Sequence, residues 1–115
     1  MYARFARTFA RCTLGTRPIV TRQFREGDNM SAAHVLFVAG ADNARAARVL
    51  RQAAPAPMLL VTECGGGLQA GSIINFKIVE ERVRFDVSLE AADKNNIKLS
   101  SRLLTVANHV SKGAP

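Results

Sequence analysis

Two runs, His34-Val35-Leu36-Phe37-Val38-Ala39 and Met58-Leu59-Leu60-Val61-Thr62, constrain this chain more than any other feature. A strand with one wet face alternates polar and apolar residues. A run without that alternation fits a strand covered on both faces, as in a parallel sheet. Between the runs, Asp42 is placed to cap a helix by accepting backbone N–H bonds. Ala44, Ala47, Leu50 and Ala54 then recur at helical spacing, with Arg45, Arg48 and Arg51 outside. Pro55 and Pro57 end that helix, because proline supplies no interior N–H. Residues 34–62 therefore predict a compact βαβ unit with a right-handed crossover. Covering its strands on both faces demands an α/β layer fold.

After Gly65-Gly66-Gly67 the pattern changes. Ile73 to Val79 and Arg82 to Ser88 read as two strands of an antiparallel hairpin. Val83, Phe85 and Val87 point one way; Arg82, Arg84 and Asp86 point the other. Glu80-Glu81 between them is an unusual pair for a two-residue turn, which prefers Asn or Gly, so a longer or bulged connection is expected. Leu89 and Ala92 belong to a short helix that Asn95-Asn96 ends. A last helix starts at Ser100, with Leu99 and Leu104 in the positions of a hydrophobic staple and Leu103, Leu104, Ala107 and Val110 as its buried stripe. The fold class is thus α/β: a mixed sheet with a βαβ unit and a C-terminal β-hairpin, flanked by helices. Ahead of the βαβ unit, Tyr2, Phe5 and Phe9 recur at helical spacing, which predicts a short amphipathic helix over residues 2–12. Pro18 opens a β-branched run, Ile19 to Phe24, that suits an edge strand. The organisation expected is a basic amphipathic segment, 1–14, a single α/β domain, 15–111, and a disordered tail, 112–115.

The net charge of +7 on 115 residues invites a nucleic-acid reading. Its distribution weakens that reading. Arg4, Arg7, Arg11, Arg17, Arg22 and Arg25 lie in residues 1–25, which hold no acidic residue; the remainder is close to neutral. The basicity belongs to one end. Arginine interrupts every apolar stretch of that end, so it has no secretory h-region, and its Arg-rich, acid-free character imitates a mitochondrial transit peptide. No run of 18 apolar residues is present, so no membrane-spanning helix is expected.

Candidate chemistry is sparse. Gly65-Gly66-Gly67 follows a strand but lacks the Lys-Ser or Lys-Thr of a phosphate loop, and the next element reads as another strand. Cys12 and Cys64 have no metal spacing, and two thiols do not complete a zinc site. Cys64 has Glu63 beside it, which opposes thiolate formation. His34 sits at a strand start, and His109 reads as a cation near a helix C-terminus. Asp28 and Asp42 do not form the acidic pair of a phospho-receiver. No nucleophile has an identifiable base. No catalytic, cofactor-binding or metal-ligating residue is assigned.

The C-terminal half carries a recognisable pattern. It runs Gly71, Ile74-Asn75-Phe76, Glu81-Arg82-Val83-Arg84-Phe85-Asp86-Val87-Ser88-Leu89-Glu90-Ala91-Ala92, then Ile97-Lys98-Leu99-Ser100-Ser101-Arg102-Leu103-Leu104 and Ala107. This resembles the closing signature of the YfiR family, in which an Ile-Asn-Phe strand precedes an Arg-x-Phe strand, a Leu-x-Ala-Ala helix and a Ser-Ser-Lys-Leu-Leu helix start. Thr16-Arg17-Pro18-Ile19-Val20 and His34-Val35-Leu36-Phe37-Val38 also match in kind and order. The similarity covers about residues 15–110. Departures include Glu80-Glu81 where the family often has Asp-Gly or Asn-Gly, Ser72 for a second glycine, Ser88 for Asn, and Ala33 for Cys. The family's front, with its secretory signal and further strand, is shortened here. A shortened sheet would expose an unpaired edge and favour self-association into a homodimer.

The resemblance implies a periplasmic, non-enzymatic regulator. It would bind and inhibit a membrane diguanylate cyclase, lower cyclic-di-GMP signalling and biofilm formation, and be displaced by an outer-membrane protein. It brings no catalytic residues and no cofactor. Starting from Met1 with no signal peptide, the chain would instead be cytoplasmic. Lys77, Arg84 and Arg102 are the protein-interface candidates, as they should lie on exposed faces of matched elements. Two other classes compete: a nucleic-acid-binding module using the N-terminal arginines, and a small thiol enzyme using Cys64.

Overall fold

The computed structural model describes residues 13–14, 17–18, 20–25, 27–30, 32–53 and 57–112. Strands β1 (Thr13–Leu14) and β2 (Arg17–Pro18) pair antiparallel as a small separate ladder. The main sheet has five strands in the order β3 (Val35–Val38), β4 (Leu59–Thr62), β5 (Ile74–Val79), β6 (Arg82–Ser88) and β7 (His109–Ser111). Among the described residues, four helices accompany it: α1 (Asn43–Ala53), α2 (Gly67–Ala70), α3 (Leu89–Lys94) and α4 (Ser101–Val106). β3, β4 and β5 run parallel, β6 runs back antiparallel to β5, and β7 lies parallel to β6. This is the mixed α/β sheet that the two apolar runs and the hairpin pattern require.

The βαβ unit forms as its sequence dictates. Asp42 Oδ1 accepts the Arg45 N–H at 3.0 Å, capping α1. The buried stripe of α1 is Ala46, Val49 and Leu50, with Arg45, Arg48 and Arg51 exposed. The expected stripe is met at Leu50, whereas Ala44 is exposed and Ala47 half-buried, with Ala46 and Val49 buried instead; Ala54 lies outside the described residues.

Register places Leu36, Leu60, Thr62 and Asn75 on one face of the sheet, since partners across a ladder share a face. On this face Leu60 and Ser88 floor a groove lined by Leu50 of α1, Leu68 of α2 and Ala91 of α3, so three helices gather here. The other face carries Val35, Phe37, Leu59, Val61, Ile74, Phe76 and Ile78, together with their β6 partners Val83, Phe85 and Val87. The core centres on Leu50, Met58, Leu60, Ile73 and Val87, each at most 2% exposed. Each such side chain contributes about 1.5–3 kcal/mol by leaving water.

Four expectations are corrected. Among the described residues the run after Pro18 forms no strand: residues 20–25 have no regular structure, although Phe24 packs on the core and the Arg22 guanidinium lies 5.2 Å from its ring centroid. Strand propensity is realised only where a ladder partner is available, and Arg17–Pro18 spends its pairing on β1. The glycine loop enters a short helix, α2, ended by Gly71 in the left-handed region at φ 114°. The hairpin turn is tight, with Val79 paired to Arg82 and Glu80 and Glu81 at φ 52° and 65°. The last helix stops at Val106, and His109 begins β7, where Val110 pairs with Val87. The open edge of β6 explains that switch: the Asn108 N–H donates to the Phe85 carbonyl at 2.8 Å and starts a ladder. The amphipathic segment 2–12 lies outside the described residues.

Candidate protein-interaction site

β5 and β6 are longer than the strands beside them. β4 pairs with β5 only at Val61–Ile74 and Thr62–Asn75, and β7 pairs with β6 only from Asp86 to Ser88. The rungs Phe76–Phe85, Lys77–Arg84, Ile78–Val83 and Val79–Arg82 therefore extend past both neighbours as a two-stranded ribbon. At strand rise, this ribbon projects about 13 Å. An isolated two-stranded ribbon is marginally stable in water, so a projecting one is suited to being completed by something else.

Its two faces differ sharply. At the base of the apolar face, Phe76 and Phe85 meet edge to face, with centroids 6.1 Å apart and planes at 68°. Farther out, Ile78 and Val83 sit opposite each other and are 77% and 72% exposed. Alternating strands normally turn such residues inward; here the sheet ends before they are covered. On the other face Lys77 and Arg84 are cross-strand partners of like charge, an arrangement that destabilises unless a counter-charge intervenes. Asp86 supplies it: Lys77 Nζ lies 2.9 Å from Asp86 Oδ2, and Asn108 Nδ2 donates to Asp86 Oδ1 at 3.3 Å. Arg82 and Arg84 are exposed, and Glu80 and Glu81 form an acidic tip.

Of the three interface candidates, Lys77 and Arg84 stand side by side on the charged face of this ribbon, while Arg102 is exposed on α4, a separate element. The apolar members Ile78 and Val83 were not singled out from sequence. The sequence held a weak signal, since the hairpin runs 73–79 and 82–88 are longer than the apolar runs 34–39 and 58–62; in the structure β5 and β6 span six and seven residues where β3 and β4 span four.

The groups weighed for chemistry are scattered. Cys64 is an unpaired thiol, 2% exposed, just beyond the end of β4. His34 precedes β3 at the opposite end of the parallel pair, and His109 opens β7; both are exposed. The glycine loop is tied to α1, because the Gly66 N–H donates to Asn43 Oδ1 at 2.9 Å. Among the described residues, no helix is long and apolar enough to cross a membrane.

No curated protein matches the chain. A family model described as YfiR/HmsC-like matches residues 1–108, a span that takes in the N-terminal segment as well as the sheet, the ribbon and the closing helices. With nearly the whole length matched and the mixed α/β sheet in place, the chain belongs to the YfiR/HmsC-like family.

Proposed function

We propose that this chain is a non-catalytic regulator that binds a membrane-bound diguanylate cyclase on its periplasmic side and holds its activity down, so lowering cyclic-di-GMP signalling and biofilm formation. Membership of the YfiR/HmsC-like family supports a regulatory rather than a catalytic role. The observation that carries the reading to a surface is the projecting ribbon, with Ile78 and Val83 exposed on one face and Lys77, Arg82 and Arg84 on the other. Exposed apolar side chains and arginine are both residue types in which protein interfaces are rich, and the ribbon offers one on each face. In the same reading, an outer-membrane protein relieves the restraint by competing for this regulator.

Lys77, Arg84 and Arg102 enter as interface residues of different kinds. Arg84, exposed on the ribbon, would form a forked pair with a partner carboxylate, whereas Lys77 would first have to leave Asp86. Arg102 would contribute only where the partner also reaches α4. The test is cyclase turnover in membranes carrying a diguanylate cyclase from the same organism. Added regulator should lower the rate of cyclic-di-GMP formation, and Ile78→Lys with Val83→Lys should abolish that effect. A rate unchanged by a folded regulator would overturn the proposal.

A further inference from the structure

The outer edge of the ribbon carries backbone groups that the sheet does not use. Their direction follows from two hydrogen bonds on β6. The Ser88 N–H donates to the Ile73 carbonyl at 2.8 Å, on the β5 side, and the Asn108 N–H donates to the Phe85 carbonyl at 2.8 Å, on the β7 side. Backbone groups alternate in direction along a strand, so Arg82, Arg84 and Asp86 bond toward β5, while Val83, Phe85 and Val87 turn theirs toward β7. β7 begins to pair only at Asp86. The Val83 N–H and carbonyl therefore point out of the sheet, and among the described residues no backbone group meets them. The Val83 side chain is exposed as well. A strand edge with an open donor, an open acceptor and an apolar side chain is a template for one more strand.

Charge decides which strand fits. Side chains of an added strand fall on the two faces of the ribbon in turn. Those level with Val83 join the apolar face, and those level with Arg82 and Arg84 meet two exposed guanidinium groups. A second copy is a poor occupant, because its own β6 edge would set arginines against arginines, and like charges across a ladder repel. The β5 edge is less suited, since its Lys77 is engaged by Asp86 and Val79 carries no charge. We propose that the outer edge of β6 ahead of β7, from Arg82 to Phe85, binds an extended segment of the partner by strand addition, and that this segment alternates apolar and acidic side chains. The inference rests on the ribbon being the interaction surface and names what that surface recognises. Val83 then contributes twice, through its backbone pair and through its side chain, and the two arginines select an acidic strand over a neutral one.

The experiment uses the isolated full chain, isotope-labelled for amide hydrogen exchange by NMR. The probe is a capped heptapeptide alternating valine and glutamate; the control has the same residues with the glutamates in one block. At about 5 mM alternating peptide, exchange of the Val83 amide should slow at least about fivefold, as a new ladder bond requires, while the Ile78 amide on the opposite edge stays as it was. Val83→Pro removes the outward N–H without touching the ladder to β5 and is the kind of change an edge strand tolerates; it should weaken binding at least about fivefold. Arg82→Glu with Arg84→Glu, which spares the backbone, should weaken it at least about tenfold at low salt. Unchanged exchange at Val83, equal binding of the blocked peptide, or protection of Val83 that rises with protein concentration without peptide would each overturn the proposal. Cyclase inhibition is a separate readout. Protection of Val83 with no inhibition leaves strand addition standing and ends the regulatory reading; inhibition retained by folded Val83→Pro does the reverse.

Discussion

Thr62 and Asn75 face each other across the parallel strands β4 and β5, and the Thr62 hydroxyl donates to Asn75 Oδ1 at 2.7 Å in the buried interior. Gly67, the first residue of α2, lies directly against this pair. A Cβ there would collide with both Thr62 Oγ1 and Asn75 Oδ1, whereas one on Gly65 would meet nothing within 4 Å. Gly67→Ala must separate two buried polar groups as well as make room. It should destabilise the fold by about 2–4 kcal/mol, and Gly65→Ala by less than about 0.5 kcal/mol. Urea denaturation of the two variants checks the contrast; equal midpoints would mean that α2 does not press on the pair.

The hydroxyl itself gives a separate prediction. Thr62→Val keeps the shape of the side chain and removes the donor to Asn75, leaving a buried amide oxygen short of a partner. The expected cost is about 1–3 kcal/mol, read as a shifted denaturation midpoint with an unchanged slope.

Both residues of the β5–β6 turn occupy the left-handed region, Glu80 at φ 52° and Glu81 at 65°. Side chains other than Gly and Asn pay about 1 kcal/mol or more for that conformation. Glu80→Asn with Glu81→Gly supplies the residues such a turn prefers. The double variant should gain about 1 kcal/mol, seen as a higher thermal midpoint with the strand register intact. A loss would show that the turn is longer than two residues in solution.

How far the fold could be read in advance depended on whether one segment or two had to be considered. The βαβ unit was legible because Leu36, Val38, Leu60 and Val61 lie in continuous apolar runs bounded by helix and turn signals; β4 is covered on both faces as expected, whereas β3, at the sheet edge, leaves Val35 exposed. The Ser100 cap was equally local: its Oγ accepts the Leu103 N–H at 3.2 Å, and Leu99 and Leu104 pack on the core as a staple should. The features that were misread are tertiary. Val110 fits a helical stripe by spacing, yet the free edge of β6 draws it into β7. Ile78 and Val83 look like core by alternation, and only the lengths of their neighbours leave them exposed. For the same reason the cationic half of the candidate surface was picked out from the sequence and the apolar half was not.

On the charged face, the Lys77–Asp86 ion pair is 38% and 15% exposed on its two sides. Solvent screens such a pair, so Lys77→Ala should cost less than about 1 kcal/mol. Arg84→Ala should leave stability unchanged within about 0.5 kcal/mol. Any larger effect of either variant on cyclase inhibition then reports a contact with the partner and not a damaged fold. If inhibition survives both changes, the interface lies on the apolar face alone.

Val83 and Val87 occupy the same face of the same strand, four residues apart, yet one is 72% exposed and the other fully buried. The same substitution should therefore act through different quantities at the two positions. Val87→Ala leaves a void beneath Ile74 and Val110, its register partners, and should destabilise by about 2–3 kcal/mol. Val83→Ala removes no packing that the sheet provides and should change stability by at most about 0.5 kcal/mol. Inhibition of the cyclase should show the reverse order once each variant is assayed at a temperature where it is fully folded: Val87→Ala close to wild type, Val83→Ala weakened severalfold, and Val83→Lys inactive. A Val83→Lys variant that is folded and inhibits normally would remove the ribbon from the interface.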